Sequence, residues 1–187
     1  MEIKTTYFEK AGKENTEVVF RIAKQRAKEL GIKTILVASS TGGTAVKAVE
    51  ALSGYRLVIV TGSTGFREDN VQRFTEESRK ICESKGAIVL TGTHAFAGVG
   101  RAVKLKYETT EIVDVIAHVL RIFGQGMKVV CEMAMMAADA GLVRTDEDVI
   151  CVAGTGVGAD TAVVLRPVHS HHFFDIKVRE ILCKPRL

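Results

Sequence analysis

The feature that most constrains this chain is a set of four short apolar runs that lack polar alternation: TILVA at 34–38, LVIV at 57–60, AIVL at 87–90 and VICV at 149–152. A strand with one face in water alternates apolar and polar side chains. A strand without that alternation needs cover on both faces, which helices laid over a parallel sheet provide. Helical periodicity fills the gaps between the runs. From Thr16 to Leu30, Val18, Val19, Ile22, Ala23, Ala27 and Leu30 share one face, and Gly31 follows as a C-terminal cap. A second helix is expected over Thr44–Leu52, stopped by Gly54. A third is expected over Asn70–Ser84, where Asp69 and Gln72 have capping-box spacing and Val71, Phe74, Ile81 and Cys82 face inward. Two more, Glu111–Phe123 and Met127–Ala140, flank Gly124-Gln125-Gly126. Between them and the third run, Gly92–Thr109 reads as an irregular loop, long enough to suggest a function.

Two further strands are expected at Thr161–Val168 and Phe174–Leu182. Only short turns precede them, and a parallel crossover needs more chain, so at least one should run antiparallel at an edge. The expected architecture is a single α/β domain over residues 1–187, three layers deep (α/β/α), with a mostly parallel sheet.

Composition narrows the function classes. Hydrophobic residues at 47% and charged residues at 26% suit an ordinary globular protein. No apolar run could span a bilayer, and MEIKTTYFEK lacks a signal peptide's apolar region, so no membrane partner is expected. The net charge of +4 is scattered without a basic block, so nucleic acid is not an expected partner. None of the four cysteines forms a CxxC pair, which argues against a cysteine zinc site and fits a reducing, cytoplasmic setting.

The first four strands end alike, in ASST (38–41), TGST (61–64), TGTH (91–94) and AGTG (153–156). In an open parallel sheet these ends line one rim, where such folds bind ligands. Tight turns also favour these residues for purely structural reasons. The first turn is the best candidate. Ser39, Ser40, Thr41, Gly42, Gly43 and Thr44 leave the backbone open at a helix N-terminus, where free amides and the positive dipole end suit a phosphate. A carboxylate at Gly42 is expected to oppose such a phosphate. No GxxxxGK pattern is present, so this is not a Walker loop. Gly154-Thr155-Gly156-Val157-Gly158 fails as a dinucleotide fingerprint. Its third glycine comes one residue early and strand-like sequence follows. It reads as a turn facing the first loop.

The segment TILVASSTGGTAVKAVEALSGYRLVIVTGS resembles the start of the pyruvate kinase C-terminal domain, with Thr41-Gly42-Gly43-Thr44-Ala45 on its phosphate-loop motif. DVICVAGTGVGADTAVVLRPV resembles that domain's closing pattern, ending in Arg166-Pro167-Val168. The likeness covers most of residues 16–168. It implies a sheet of order 3-2-1-4-5, counted along the runs above, with strand 5 antiparallel. No counterpart of the catalytic barrel is present, so kinase activity is not implied. The chain is also similar to a small, mainly archaeal family of stand-alone domains of this type, which implies bound flavin mononucleotide (FMN). On that resemblance the first loop takes the phosphate. Thr61, Gly62, Ser63, Gly92, Thr93, Gly154, Thr155 and Gly156 edge the ring, and Phe66, His94 and Phe96 stack on it or hydrogen-bond to it. Arg101, Lys104 and Lys106 either neutralise a phosphate or are solvated loop charges. Gly43 replaces a larger residue of the family loop, which opens space above the phosphate.

Other features read more plainly. His169-Ser170-His171-His172 fits a polar turn better than a metal site, and His118 a helix surface or satisfied core position. Met127, Met133, Met135 and Met136 suit helix packing or a contact between copies of the chain. Glu132 and Asp139 lie on the same helix, with nothing in the sequence to fix their distance from the rim. The expected function is binding of a phosphate ester, FMN first, with a flavin redox role if the protein is an enzyme. The alternative is a regulatory module that senses a sugar phosphate.

Overall fold

A computed structural model describes residues 2–187. Seven strands form one sheet: β1 (Thr6–Phe8), β2 (Thr34–Ala38), β3 (Arg56–Val60), β4 (Ile88–Leu90), β5 (Val149–Ala153), β6 (Thr161–Arg166) and β7 (Lys177–Pro185). Six helices connect them: α1 (Thr16–Leu30), α2 (Gly43–Ala51), α3 (Glu76–Ser84), α4 (Gly98–Tyr107), α5 (Ile112–Arg121) and α6 (Gln125–Asp139). The order is β1-β7-β6-β5-β2-β3-β4. Read from β4 to β6 this is the expected 3-2-1-4-5 run, and β7 and β1 extend it. β6 pairs antiparallel with both neighbours, whereas β2 pairs parallel with β3 and β5. The antiparallel strand is therefore internal, not at an edge as expected. Residues 6–8 carry too weak a pattern to read as a strand. β1 exists because β7 offers it a parallel partner.

Three of the four runs behave as strands buried on both faces, while β4, at the edge of the sheet, is only partly buried. Ile35, Val37, Leu57, Ile59, Ile150 and Val152 pack under α1, α2 and α3. The alternate residues Leu36, Val58, Val60, Val149 and Cys151 pack under α6. α6 is buried along nearly its whole length, because the sheet covers one side and α5 packs on another. This accounts for its methionines as packing residues. Within α1, Phe20 is buried while Leu30 is largely exposed, so the inward face sits slightly off the expected stripe. All four cysteines are buried, and burial pushes the Cys131 thiol up to about 11.

Three expectations are corrected. The third helix starts at Glu76, not Asn70. Thr75 caps it by accepting from the Ser78 amide at 3.1 Å, and Asn70 sits in the left-handed region at φ 63°, which a helix cannot absorb. Asp69 and Gln72 make no capping box. Gln72 bonds within the loop, to the Gly62 carbonyl and the Phe74 amide. Residues 92–109 are not wholly irregular, since α4 occupies 98–107. Residues 170–175 form a 3-10 turn before β7, which starts at Lys177 rather than Phe174. Among the described residues, no helix is long and apolar enough to cross a membrane.

Candidate functional site

The chain passes from β2 to β3 to β4, then crosses back through α4, α5 and α6 to place β5 on the other side of β2. The strand order reverses between β2 and β5. At such a point the two outgoing turns diverge and leave a crevice. The first loop lies there. The Ser39 amide donates to the Val60 carbonyl at 3.0 Å, and Ser39 Oγ accepts from the Ala45 amide at 3.2 Å, which ties the loop to both ends. Gly42 is buried at φ 103°, and an added Cβ would stand 2.2 Å from Ser78 Oγ, so only glycine fits. Gly43 opens α2 with free space around its Cα. Among the described residues, the amides of 40–44 have no acceptor. Five consecutive N–H groups without an acceptor at the start of a helix are an arrangement chemically suited to an anion.

The other turns close around this loop. Thr61 and Thr91 share a hydroxyl hydrogen bond of 2.8 Å. The Ser63 amide donates to His94 Nε2 at 3.3 Å, which leaves Nδ1 as the protonated ring nitrogen. Phe66 stacks on His94 with centroids 5.0 Å apart, and the Arg101 guanidinium lies 5.0 Å from the Phe66 centroid. The fourth turn is held by Asp160, which is fully buried. Its carboxylate accepts from the amides of Gly12 and Thr155 and from the Thr161 hydroxyl.

The resulting cleft has a volume of about 590 Å³, within the usual range for small-molecule sites. Six cations line it: Lys13, Lys47, Arg67, Arg73, Arg121 and Lys128. Among the described residues, Glu132 is the one carboxylate on its walls. It is buried and accepts from Lys128 Nζ and from the Phe96 amide. His94 Nδ1 stands 3.9 Å from Glu132 Oε2.

Burial pushes the His94 pKa below its ordinary value, and Lys128 pushes it the same way, against the opposing pull of Glu132. Folding therefore favours the neutral ring. The stability that follows is fully present above the unfolded pKa of about 6.5 and is lost as pH falls through the lowered folded value. The denaturation midpoint of the wild type should therefore drop more steeply between about pH 7 and 5 than that of His94→Gln. Parallel curves for the two proteins would contradict the assignment.

The cleft brings together most of the residues singled out in the sequence: Ser39, Ser40, Thr41, Gly43, Thr44, Thr61, Gly62, Ser63, Phe66, His94, Gly154 and Gly156. Gly42 lies behind the loop, against Ser78. The Thr155 amide is taken by Asp160. Gly92 and Thr93 face a second, smaller cavity that shares only His94 and Met136 with the first. The Phe96 ring is buried away from the cleft, edge-on to Phe173 and beside the Lys128 ammonium. Lys104 pairs with Asp114, and Lys106 lies over Tyr107. His118 is exposed. His169 approaches Asp139 at 3.3 Å, and no three His, Cys, Asp or Glu side chains converge among the described residues.

Sequence reasoning missed Lys128 as a site residue and left Glu132 unplaced. The available signal was two charges at i,i+4 within the otherwise apolar stretch MKVVCEMAMM, where an unpaired charge would be costly.

A family model described as pyruvate kinase, alpha/beta domain, matches residues 17–165. Among solved structures, a pyruvate kinase from Cryptosporidium parvum is 14% identical with a TM-score of 0.43, over 82% of this chain and 23% of that one. Cryptosporidium parvum pyruvate kinase in complex with ADP is 13% identical with a TM-score of 0.42, over 82% and 24%. The chain spans about a quarter of the length of these kinases.

Proposed function

This chain belongs to the pyruvate kinase alpha/beta domain family, and on that premise we propose that its cleft binds a phosphorylated small-molecule cofactor, FMN, with the phosphate on the first loop. The observation that carries the reading is the run of free amides at 40–44, backed by the cations Lys13 and Lys47 at the same cleft. A phosphate dianion accepts several hydrogen bonds at once, and an amide receptor offers them without side-chain entropy loss. The cleft is large enough for a ring beyond the phosphate, and Phe66 and His94 offer it flat faces. When bound, a flavin would supply redox chemistry. The chain's own part would be to grip the phosphate and orient the ring.

A second reading rests on the excess of cations. Six against one carboxylate is more than a single phosphate needs, which favours a ligand with two anionic groups, such as a sugar bisphosphate sensed without catalysis. Titration separates the two. Under the first reading, the purified protein carries flavin absorbance or quenches added FMN fluorescence, and riboflavin, which lacks the phosphate, binds far more weakly. A protein that ignores FMN but gains thermal stability from a sugar bisphosphate supports the second. Equal affinity for FMN and riboflavin would remove the phosphate from the first loop.

A further inference from the structure

α5 has two apolar faces. Val113, Ile116, Ala117 and Leu120 follow the i, i+3, i+4, i+7 spacing of a core-facing stripe, and Ala117, Ile116 and Leu120 pack into the core beside α6. On the other side Ile112, Val115, Val119 and Ile122 follow i, i+3, i+7, i+10, the spacing of a helix-pairing seam. That second stripe faces solvent. Ile112 is 78% exposed, Val115 52%, Val119 54% and Ile122 68%, with Phe123 half exposed at its end. All four seam residues are β-branched, stiff side chains that gain nothing from water and lose little entropy on packing. A helix with apolar stripes on two sides ordinarily has cover on both.

We propose that α5 is the seam of a two-fold homodimer in which it pairs antiparallel with α5 of a second copy. Two features select this partner and direction. The spacing is self-complementary under a two-fold axis crossing the seam at the level of Ala117: Val115 meets the partner's Val119, and Ile112 meets the partner's Ile122. The charges are polarised along the helix, with Glu111 at its N-cap and Asp114, which pairs with Lys104, toward its start and His118 and Arg121 toward its end. Antiparallel pairing sets each acidic start beside a basic end and opposes the two helix dipoles. Parallel pairing would stack like charges. A helix pair about 15 Å long covers less than the ~800 Å² per partner of a standard interface, so the association is reversible and depends on concentration. This inference does not depend on the identity of the ligand.

Sedimentation over a concentration series should show the mass rising from that of the 20.3 kDa chain toward twofold. Val119→Glu should hold the protein at the monomer mass with an unchanged circular dichroism spectrum, since the site is half exposed. A second test does not depend on that variant. The four native cysteines are buried, so single cysteines introduced on the seam report alone. Mixing Val115→Cys protein with Val119→Cys protein under mild oxidation should give mostly mixed cross-linked pairs. A wild type that stays monomeric throughout the series, a dimer untouched by Val119→Glu, or cross-links no more frequent in the mixture than in either protein alone would each overturn the proposal.

Discussion

Replacing Gly43 with Asp should lower affinity for FMN by on the order of a hundredfold, about 3 kcal/mol, while leaving the fold intact. Gly43 is the first residue of α2, lines the cleft, has an ordinary helical φ, and has nothing within 4 Å of an added Cβ. A carboxylate there sits in the first turn of a helix, where the dipole favours it, so stability should hold or rise slightly. The same carboxylate occupies the space in front of the free amides and repels a dianion at close range. Gly42, the position that sequence reasoning favours for such a test, is unsuitable. Its φ of 103° and the Ser78 side chain behind it would make any substitution a folding defect first. Isothermal titration of Gly43→Asp beside the wild type, with thermal melts of both, reads the two effects separately. Unchanged affinity would place the phosphate elsewhere.

Truncating Glu132 to Ala should destabilise the protein by about 3–5 kcal/mol, roughly 8–15 °C in melting temperature for a chain of this size. Glu132 and Lys128 are both more than nine-tenths buried as residues. Without the carboxylate, the Lys128 ammonium loses its counter-charge and the Phe96 amide loses its acceptor. Lys128→Met combined with Glu132→Leu removes both charges and should recover most of that loss, because an apolar pair of similar volume pays no desolvation cost. Urea denaturation of the two single variants and the double variant completes the cycle. A Glu132→Ala cost below about 1 kcal/mol would mean that Lys128 reaches water and pairs only weakly.

Sequence and tertiary structure divide the molecule along a physical line. The four parallel strands, the α1 helix and the glycine-rich first turn are readable because each depends on neighbours in the chain. Apolar runs state that both faces are covered, 3.6-residue periodicity states one buried side, and Gly42-Gly43 before an amphipathic stretch states an open helix start. Misread starts such as that of α3 have the same origin. Asp69 and Gln72 have the right spacing, but the left-handed Asn70 between them and the Gln72 bonds across the loop arise only once β3 and α3 are packed. α4 was hidden for a similar reason: GVGRAVKLKY carries two glycines and buries no residue, so it leaves almost no periodic apolar signal.

Only the tertiary structure decided which side chains share the cleft. The spacing of Lys128 and Glu132 along α6 is local, but whether that pair faces solvent, core or ligand depends on where the crossover through α4 and α5 sets the helix. Only Ala95 separates His94 from Phe96, yet the first lines the cleft and the second is packed against Phe173, because the turn after β4 sends them to opposite sides. The sequence determined, through short-range hydrogen bonding and burial periodicity, that a polar rim would exist at the strand ends. The folded chain alone decided that one buried ion pair would form its inner wall, because contacts between distant residues follow from the path of the backbone and not from spacing along it.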